Sequence, residues 1–383
     1  MSLLSSYKKV RQYSLEQVSF LKTEDFVVQP IEFVSPPKWN LAHTTWFFEE
    51  FILKVNKADY KIFHKDFSFL FNSYYVNAGD RLIRGHRGAL TRPELEKVLE
   101  YREYVDREMK SLLNQVESGT DLYTMIVLGL NHEQQHQELF LTDIKYILGF
   151  QPLFPEYNKE ALCEKGNAGE SDWVKTDEGI FEIGFEGNRF SYDNELGKHK
   201  TYLQNFEIRK KLVSNGEYLE FINDGAYKNP DLWHSEGWAW LNVENVRGPL
   251  YWHWKDNEWH QYTLAGLRKV NPEHPVSHIS YFEAFAYSQW AGYRLPTEFE
   301  WEAASNLFDW GDRWEWTESA YLPYPGYKKA AGAVGEYNGK FMVNQKVLRG
   351  SSVATSEGHS RKTYRNFFHP HLSWQFTGIR LAR

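Results

Sequence analysis

The chain has 383 residues, 42% of them hydrophobic and 17% aromatic, and this length and composition predict two packed domains. Its formal net charge is −7, from 44 basic and 51 acidic side chains, which argues against a general nucleic-acid surface. A single cysteine, Cys163, excludes an internal disulfide and is typical of a reducing compartment.

The N-terminal residues are predicted to form a helix rather than a signal peptide. Apolar side chains recur at helical spacing from residue 5 to residue 21. Residues 1–22 lack the apolar core of a secretion signal, and no apolar run reaches the roughly 20 residues that cross a bilayer. We therefore expect a cytoplasmic protein without a membrane partner.

Two further helices are predicted before residue 120. The first covers residues 38–55, with Pro37 near its first turn and His43 early in its length. A long, aromatic-rich connection, residues 59–92, follows it, and a loop of that size is usually functional or packed by its own side chains. Thr91 as cap and Pro93 in the first turn predict a helix that runs to about residue 117.

The fourth predicted helix, residues 123–148, carries the first chemical motif. His132 and His136 are four residues apart, so their imidazoles project from one helical face and lie close enough to share a metal ion. Such pairs also occur as solvent-facing or hydrogen-bonded histidines, but the apolar neighbours Leu139 and Phe140 indicate a buried face, where imidazoles need partners. Four helices of this kind predict a bundle with a metal site in its core.

A third metal ligand must come from another segment, and His43 is the best candidate. Glu133 also fits the general-base position of a zinc protease motif, whereas Glu138 lies too close along the helix to complete such a site. Three neutral histidines suit an iron(II) site with open positions, and they also suit zinc. Spacing alone leaves the metal undecided.

The second half of the chain has a different composition. Residues 151–174 are predicted to be a linker between a helical domain, residues 1–150, and an irregular, loop-rich domain, residues 175–383, so the fold class is α+β. Short strands are predicted at residues 181–184 and 206–208. One helix, residues 280–291, has a capping box of Ser280 and Glu283, and another follows Pro296 to about residue 306.

Several motifs of this second domain resemble the formylglycine-generating-enzyme (sulfatase-modifying-factor) fold, which is C-type-lectin-like. The motifs are HPVSHIS from residue 274, YRLPTEFEWE from residue 293, WEWT from residue 314, LRGS from residue 348 and TGIRL from residue 377. Formylglycine-generating enzymes use paired cysteines near the C-terminal end. The one cysteine here, Cys163, lies in the predicted linker, so we exclude that activity.

The first half resembles the DinB-type four-helix bundle, and the whole chain resembles the ergothioneine-biosynthesis sulfoxide synthases, the EgtB group. This resemblance implies a non-haem Fe(II) enzyme that uses O2 to join a thiol to the imidazole C2 of hercynine and to oxidise the sulfur. A redox reaction with O2 favours iron over zinc, because zinc does not change valence. Hercynine, the thiol and O2 are the implied small-molecule partners, and the sequence gives no oligomeric state.

The resemblance also implies roles for particular residues. His43, His132 and His136 match the iron ligands. Gln135 matches a contact on the hercynine side, Tyr74 and Tyr75 match paired tyrosines of which one supplies a proton, and Arg84 and Arg87 match arginines that hold the thiol's carboxylate. The lip that faces hercynine corresponds to Asn366, Phe367 and Phe368.

Plainer interpretations exist for most of these residues. The tyrosines could be core aromatics of which alternation buries only one, the arginines a solvated basic loop, and residues 366–368 packing alone. Glu298, Glu300 and Glu302 are predicted to be structural, and His359, His369 and His371 are weak evidence for a second metal.

Other functions stay open on the sequence. One is a related synthase that takes histidine or a selenium donor, and another is a non-catalytic ligand-binding protein on the same scaffold. A zinc hydrolase is the third. The thiol donor, cysteine or γ-glutamylcysteine, is not determined by the sequence.

Overall fold

The computed structural model describes residues 2–73, 75, 79–161, 172–329 and 338–383. These residues form two compact units. The first contains the residues up to Asn158 together with the late segment Thr355–His359, and the second contains the other described residues. Sequence reasoning assigned Thr355–His359 to the second domain, because nothing in a five-residue polar segment signals a contact with a helix more than 200 residues earlier.

The first unit is helical. Its helices are α1 (Leu3–Val18), α2 (Pro37–Phe48), α3 (Lys54–Asn56), α4 (Phe67–Phe71), α5 (Leu95–Leu113) and α6 (Asp121–Gly149). The four long helices α1, α2, α5 and α6 form the predicted bundle, in which α2 packs against α5 and α6. All 12 residues of α2 are buried, which is why its sequence has no polar face. No helix among the described residues is both long enough and apolar enough to cross a membrane.

One predicted helix has the expected bounds but contains a π-turn, and the start of another was wrong. The helix expected over residues 38–55 leaves α-geometry at Glu49 for a π-turn, Glu49–Leu53, where the buried Glu49 carboxylate accepts hydrogen bonds from two tyrosine hydroxyls, those of Tyr60 and Tyr101. The third long helix starts at Leu95 rather than near Pro93. Lys38 Nζ donates to the carbonyl oxygens of Leu90 and Pro93, each at 2.8 Å, and holds that segment outside the helix.

The second unit combines short strands with four helices. The strands are β1 (Trp173–Thr176), β2 (Gly179–Ile183), β3 (His199–Leu203), β4 (Phe206–Arg209), β5 (Trp252–Lys255), β6 (Glu258–Thr263), β7 (Gly266–Lys269), β8 (Trp314–Ala320), β9 (Lys346–Gly350), β10 (Asn366–Phe368) and β11 (Thr377–Gly378). The largest sheet has the order β10-β9-β8-β11, in which only the pair β11 and β8 is parallel. The others are β1-β4, β2-β3 and β5-β6-β7. The irregular α+β prediction is confirmed.

The helices of this unit are α7 (Asn215–Asn223), α8 (Ser235–Val243), α9 (Tyr281–Trp290) and α10 (Glu298–Ala304). The capping box predicted at Ser280 and Glu283 is present at the start of α9. Helices α7 and α8 were not predicted, although Ser214 and Glu217 form the same capping box before α7. Each has only nine residues, too few to show a convincing period.

Candidate metal centre

Three histidines from two helices meet inside the first unit. His43 lies on α2, and His132 and His136 lie one turn apart on α6. Each offers a ring nitrogen, and these three atoms all lie within 4.8 Å of one another. The structure thus brings together the three side chains that the sequence suggested as ligands, across a separation of about 90 residues along the chain.

Hydrogen bonds on the far side of two rings fix which nitrogen faces the centre. His43 Nδ1 lies 2.6 Å from the carbonyl oxygen of Phe71, and His136 Nδ1 lies 3.0 Å from Asn40 Oδ1. Each bond requires Nδ1 to carry the proton and leaves the Nε2 lone pair available to a metal. Among the described residues, His43 Nε2 and both ring nitrogens of His132 have no hydrogen-bond partner. Buried nitrogens of this kind fit a metal ion as their missing partner.

Aromatic rings of α2 hold the imidazole planes. The His43 ring is stacked between Trp39, with ring centroids 4.5 Å apart, and Trp46, at 5.4 Å. The His132 ring stacks on Phe47 at 4.6 Å. With the ring planes fixed by packing, little side-chain freedom remains to be lost when a metal binds.

All three imidazoles are held in the neutral form. Burial lowers the pKa of His132 to about 4, against an ordinary value near 6.5. Burial also lowers the pKa of His43 and His136 well below that value, with further lowering from the neighbouring histidines and from the positive charge of Arg87. A metal ligand must be deprotonated, so at neutral pH the cluster is ready to coordinate.

Glu133 is not placed to act as the base of a zinc protease. Its buried carboxylate accepts hydrogen bonds from Arg11 Nη1 at 3.0 Å, from Ser14 Oγ at 2.6 Å and from Arg102 Nη2 at 2.5 Å. Burial acts to raise the pKa of Glu133, but Arg102 and Arg11 outweigh it and hold that pKa at about 2. An anion bound on all sides in this way is a poor proton acceptor at neutral pH.

Comparison with known proteins identifies the family. Residues 6–140 match the DinB superfamily, and residues 159–309 match the sulfatase-modifying factor enzyme 1-like domain. The solved structure of PvdO from Pseudomonas aeruginosa is 17% identical, with a TM-score of 0.36, over 58% of this chain and 99% of that one. Hercynine oxygenase of Mycolicibacterium thermoresistibile is 28% identical over 70% of this chain and 69% of that protein. Hercynine oxygenase of Mycolicibacterium smegmatis is 30% identical over 307 residues, 67% of this chain and 70% of that protein. The chain belongs to the hercynine oxygenase family.

Membership of the hercynine oxygenase family confirms the resemblance on which the sequence analysis relied, and with it the prediction of an oxidoreductase. The prediction that Glu298, Glu300 and Glu302 are structural is also confirmed: their carboxylates bind Arg365, Arg294 and Arg349, respectively. Among the residues that the structure describes, no second group of three histidines or acids converges as a metal site, so His359, His369 and His371 form none.

The two arginines expected to bind a carboxylate have different surroundings. Arg87 is buried, lies 3.4 Å above the Trp39 ring and donates to the hydroxyls of Ser35 and Ser73 at 2.9 and 2.8 Å. Arg84, on the same 3-10 turn, is exposed and donates to the carbonyl oxygen of Phe33. A solvated basic loop therefore describes Arg84 but not Arg87, which touches the ring that stacks on His43.

The other residues expected around the ligands lie at different distances from them. Tyr75 is buried against Trp46 and Phe51, with ring centroids 5.6 and 5.3 Å apart, so one aromatic ring separates it from His43. Its neighbour Tyr74 lies outside the described residues. Gln135 is half-buried on α6, immediately before His136.

The residues expected to face hercynine form β10 in the second unit. Asn366, Phe367 and Phe368 are all half-buried. The Phe367 ring stacks on Tyr321 at 4.0 Å, and the Phe368 ring packs edge-on against Trp374 at 5.0 Å. Packing within their own unit therefore accounts for part of the surface of the two phenylalanines.

Sequence reasoning missed the residues that orient the ligands. Asn40 holds His136, and Trp39 and Phe47 set the planes of His43 and His132. One signal was available in the sequence, since Asn40 is an amide on the same predicted helix as His43, between the apolar residues Trp39 and Leu41. An amide buried in such surroundings needs a partner.

Proposed function

We propose that this protein uses Fe(II), held by His43, His132 and His136, to join a thiol to the imidazole C2 of hercynine and to oxidise the sulfur with O2. The convergence of three neutral imidazoles, with buried ring nitrogens that lack partners among the described residues, is the single observation that carries the proposal. The names of the relatives supply the substrate. Cys163, as the lone cysteine, supports a reducing compartment such as the cytoplasm.

The overall reaction balances with O2 as the only oxidant. The imidazole loses its C2 hydrogen, the thiol loses its S–H hydrogen, and a carbon–sulfur bond forms. One oxygen atom of O2 becomes the sulfoxide oxygen, and the other leaves as water with the two hydrogens. Iron, when bound, supplies the valence changes that this chemistry needs and that zinc does not offer.

The protein's own residues would hold the two organic substrates beside the three histidines. Arg87 is the proposed partner of the thiol's carboxylate, because its guanidinium is rigidly held on Trp39 and adds positive charge near His43 and His136. Arg84, at the exposed end of the same turn, would add a second positive charge that attracts the thiol's carboxylate. Gln135 would contact hercynine from α6.

A hydroxyl of the Tyr74–Tyr75 pair is the proposed proton donor. The packing of Tyr75 against Trp46, which itself stacks on His43, supports a position near the ligands. By the family resemblance, Asn366, Phe367 and Phe368 are the proposed contacts of the trimethylammonium group of hercynine, since aromatic rings attract such cations.

The test is oxygen consumption by protein reconstituted anaerobically with Fe(II), with hercynine and either cysteine or γ-glutamylcysteine, and with the product identified by mass. We expect one sulfoxide per O2 consumed with one of the two thiols, and no product without iron. Histidine in place of hercynine, and a selenol in place of the thiol, test the related synthases. Full product formation by metal-free protein, or none with any pair, would overturn the proposal.

A further inference from the structure

A buried polar network lies behind the metal ligands, on the side of α6 that faces α1 and α5. Its centre is Glu133, the residue after His132. The Glu133 carboxylate is fully buried and forms ion pairs with Arg11 and Arg102. Arg11 Nε also binds Asp106 Oδ1 at 2.6 Å. Two arginines and two carboxylates therefore balance one another inside the bundle.

The same two arginines reach the helix that carries His43. Arg102 Nη1 lies 3.4 Å from the hydroxyl oxygens of Thr44 and of Thr45, and Arg11 Nη2 lies 3.1 Å from Thr45 Oγ1. On α2, Thr44 directly follows His43 and contacts Arg102, and the next residue, Thr45, contacts both arginines. On α6, Glu133 directly follows His132 and binds both arginines.

We infer that Arg11 and Arg102 are positioning residues that set the separation and rotation of α2 relative to α6, and so pre-form the three-histidine site before metal enters. A guanidinium is a planar fork of fixed geometry, which suits it to define the distance between two partners. Neither arginine touches a ligand ring in the described contacts, so each acts through Glu133 and the threonines. The inference rests on the proposed metal site but not on the identity of the substrate.

The pre-formed site would matter because metal affinity depends on how well ligands are held before binding. If α2 and α6 drift relative to each other, the His43 nitrogen moves away from the α6 pair although every ligand is still present. Loss of the network should therefore weaken metal binding and alter coordination geometry in a protein whose three histidines are untouched.

The experiment is anaerobic titration of the full-length protein with Co(II), a spectroscopically visible probe, against a chromogenic chelator. Arg102→Met should bind Co(II) at least tenfold more weakly than wild type and show a changed visible absorption spectrum. Arg102→Lys keeps the positive charge but loses the planar guanidinium, so its Co(II) affinity should lie between those of wild type and Arg102→Met. Arg107→Met, on the exposed face of the same helix, is the matched control and should equal wild type.

Thr45→Val keeps the Arg–Glu pairs and replaces by a methyl group the hydroxyl that contacts both arginines and donates to the Leu41 carbonyl oxygen within α2, so it tests the link if Arg102→Met does not fold. We expect a two- to fivefold loss of Co(II) affinity. Wild-type affinity and spectrum in folded Arg102→Met or, failing that, in Thr45→Val would overturn the inference, even if unfolding temperatures fall. Failure of wild-type protein to bind Co(II) more tightly than His132→Ala would instead remove the metal site of the proposed function.

Discussion

Two clusters of buried polar groups, one in each unit, differ in whether their members have hydrogen-bond partners. In the second unit, Arg365 and Arg380 each make a two-pronged ion pair, with Glu298 at 2.8 and 2.9 Å and with Glu315 at 2.6 and 2.7 Å. In the first unit, the buried nitrogens of His132 have no hydrogen-bond partner among the described residues. Unpaired buried nitrogens are costly, and only at His43 and His132 do they coincide, among the described residues, with a convergence of three possible ligands, which fits a metal site. The paired arginines of the second unit fit a structural role.

The sharpest way to break this comparison is to remove an imidazole. His132→Ala should abolish both iron retention and sulfoxide formation, because the two remaining histidines are too few to retain the iron. Without metal, the variant should have a lower free energy of unfolding than wild type only by the amount that the lost packing of His132 against Phe47 accounts for. Iron content by elemental analysis and product by mass spectrometry check the prediction.

The matched control for this variant is His64→Ala, which removes an exposed histidine of the same unit. It should retain iron and activity. Sulfoxide formation by His132→Ala at the wild-type rate would show that the cluster is not the active centre.

The opposite outcome is expected for an arginine of the second unit. Arg380→Met should lower the free energy of unfolding by roughly 3–5 kcal/mol, because it leaves Glu315 buried and without its charge partner. Denaturant unfolding measures this loss. Iron bound per folded chain should not change.

Arg383→Met removes a half-exposed arginine that pairs with Glu207, and it should cost only about 0–1 kcal/mol. Equal losses in Arg380→Met and Arg383→Met would mean that burial does not distinguish these ion pairs.

The lowered pKa of His132 also predicts how the stability of the first unit depends on pH. His132 takes a proton only below about pH 4 in the folded protein but near pH 6.5 when unfolded, so the unfolded state binds more protons between these values. Stability therefore falls as pH falls, by about 2 kcal/mol from this residue between pH 7 and pH 5. The measurement is denaturant unfolding of metal-free protein at both pH values. His132→Gln should lose less stability than wild type over this interval, and an equal loss would contradict the assignment.

Two of the three ligands were accessible from the sequence because their spacing is a local signal. His132 and His136 are spaced by one helical turn, and α6 has the expected period over most of its length. His43 could be suggested but not placed, since its distance from α6 depends on packing between helices. The roles of Glu133 and Arg102 were beyond sequence reasoning for the same reason: their partners lie on helices that are remote along the chain.

The segment Thr355–His359 shows the same limit. Ser356 Oγ donates to Gln137 Oε1 at 2.7 Å, and Gln137 Nε2 in turn donates to Ser14 Oγ at 3.0 Å. The late segment thereby joins the hydrogen bonds that surround Glu133. No pattern in these five residues, four polar side chains and Gly358, predicts such a contact, because neither helical period nor capping chemistry is involved.

The last prediction concerns a residue that combines both patterns, since Arg87 is buried and hydrogen-bonded yet proposed to bind substrate. Arg87→Lys keeps a positive charge but loses the planar fork, so the KM for the thiol should rise about tenfold, equivalent to about 1.4 kcal/mol, while the KM for hercynine stays within twofold. Arg84→Lys, on the exposed end of the same turn, is the control and should change neither constant more than twofold. Equal increases in the KM for both substrates in Arg87→Lys would mean that Arg87 only supports Trp39 and His43. Arg87, with its hydrogen bonds to Ser35 and Ser73, would then have a structural role like that of the buried arginines of the second unit.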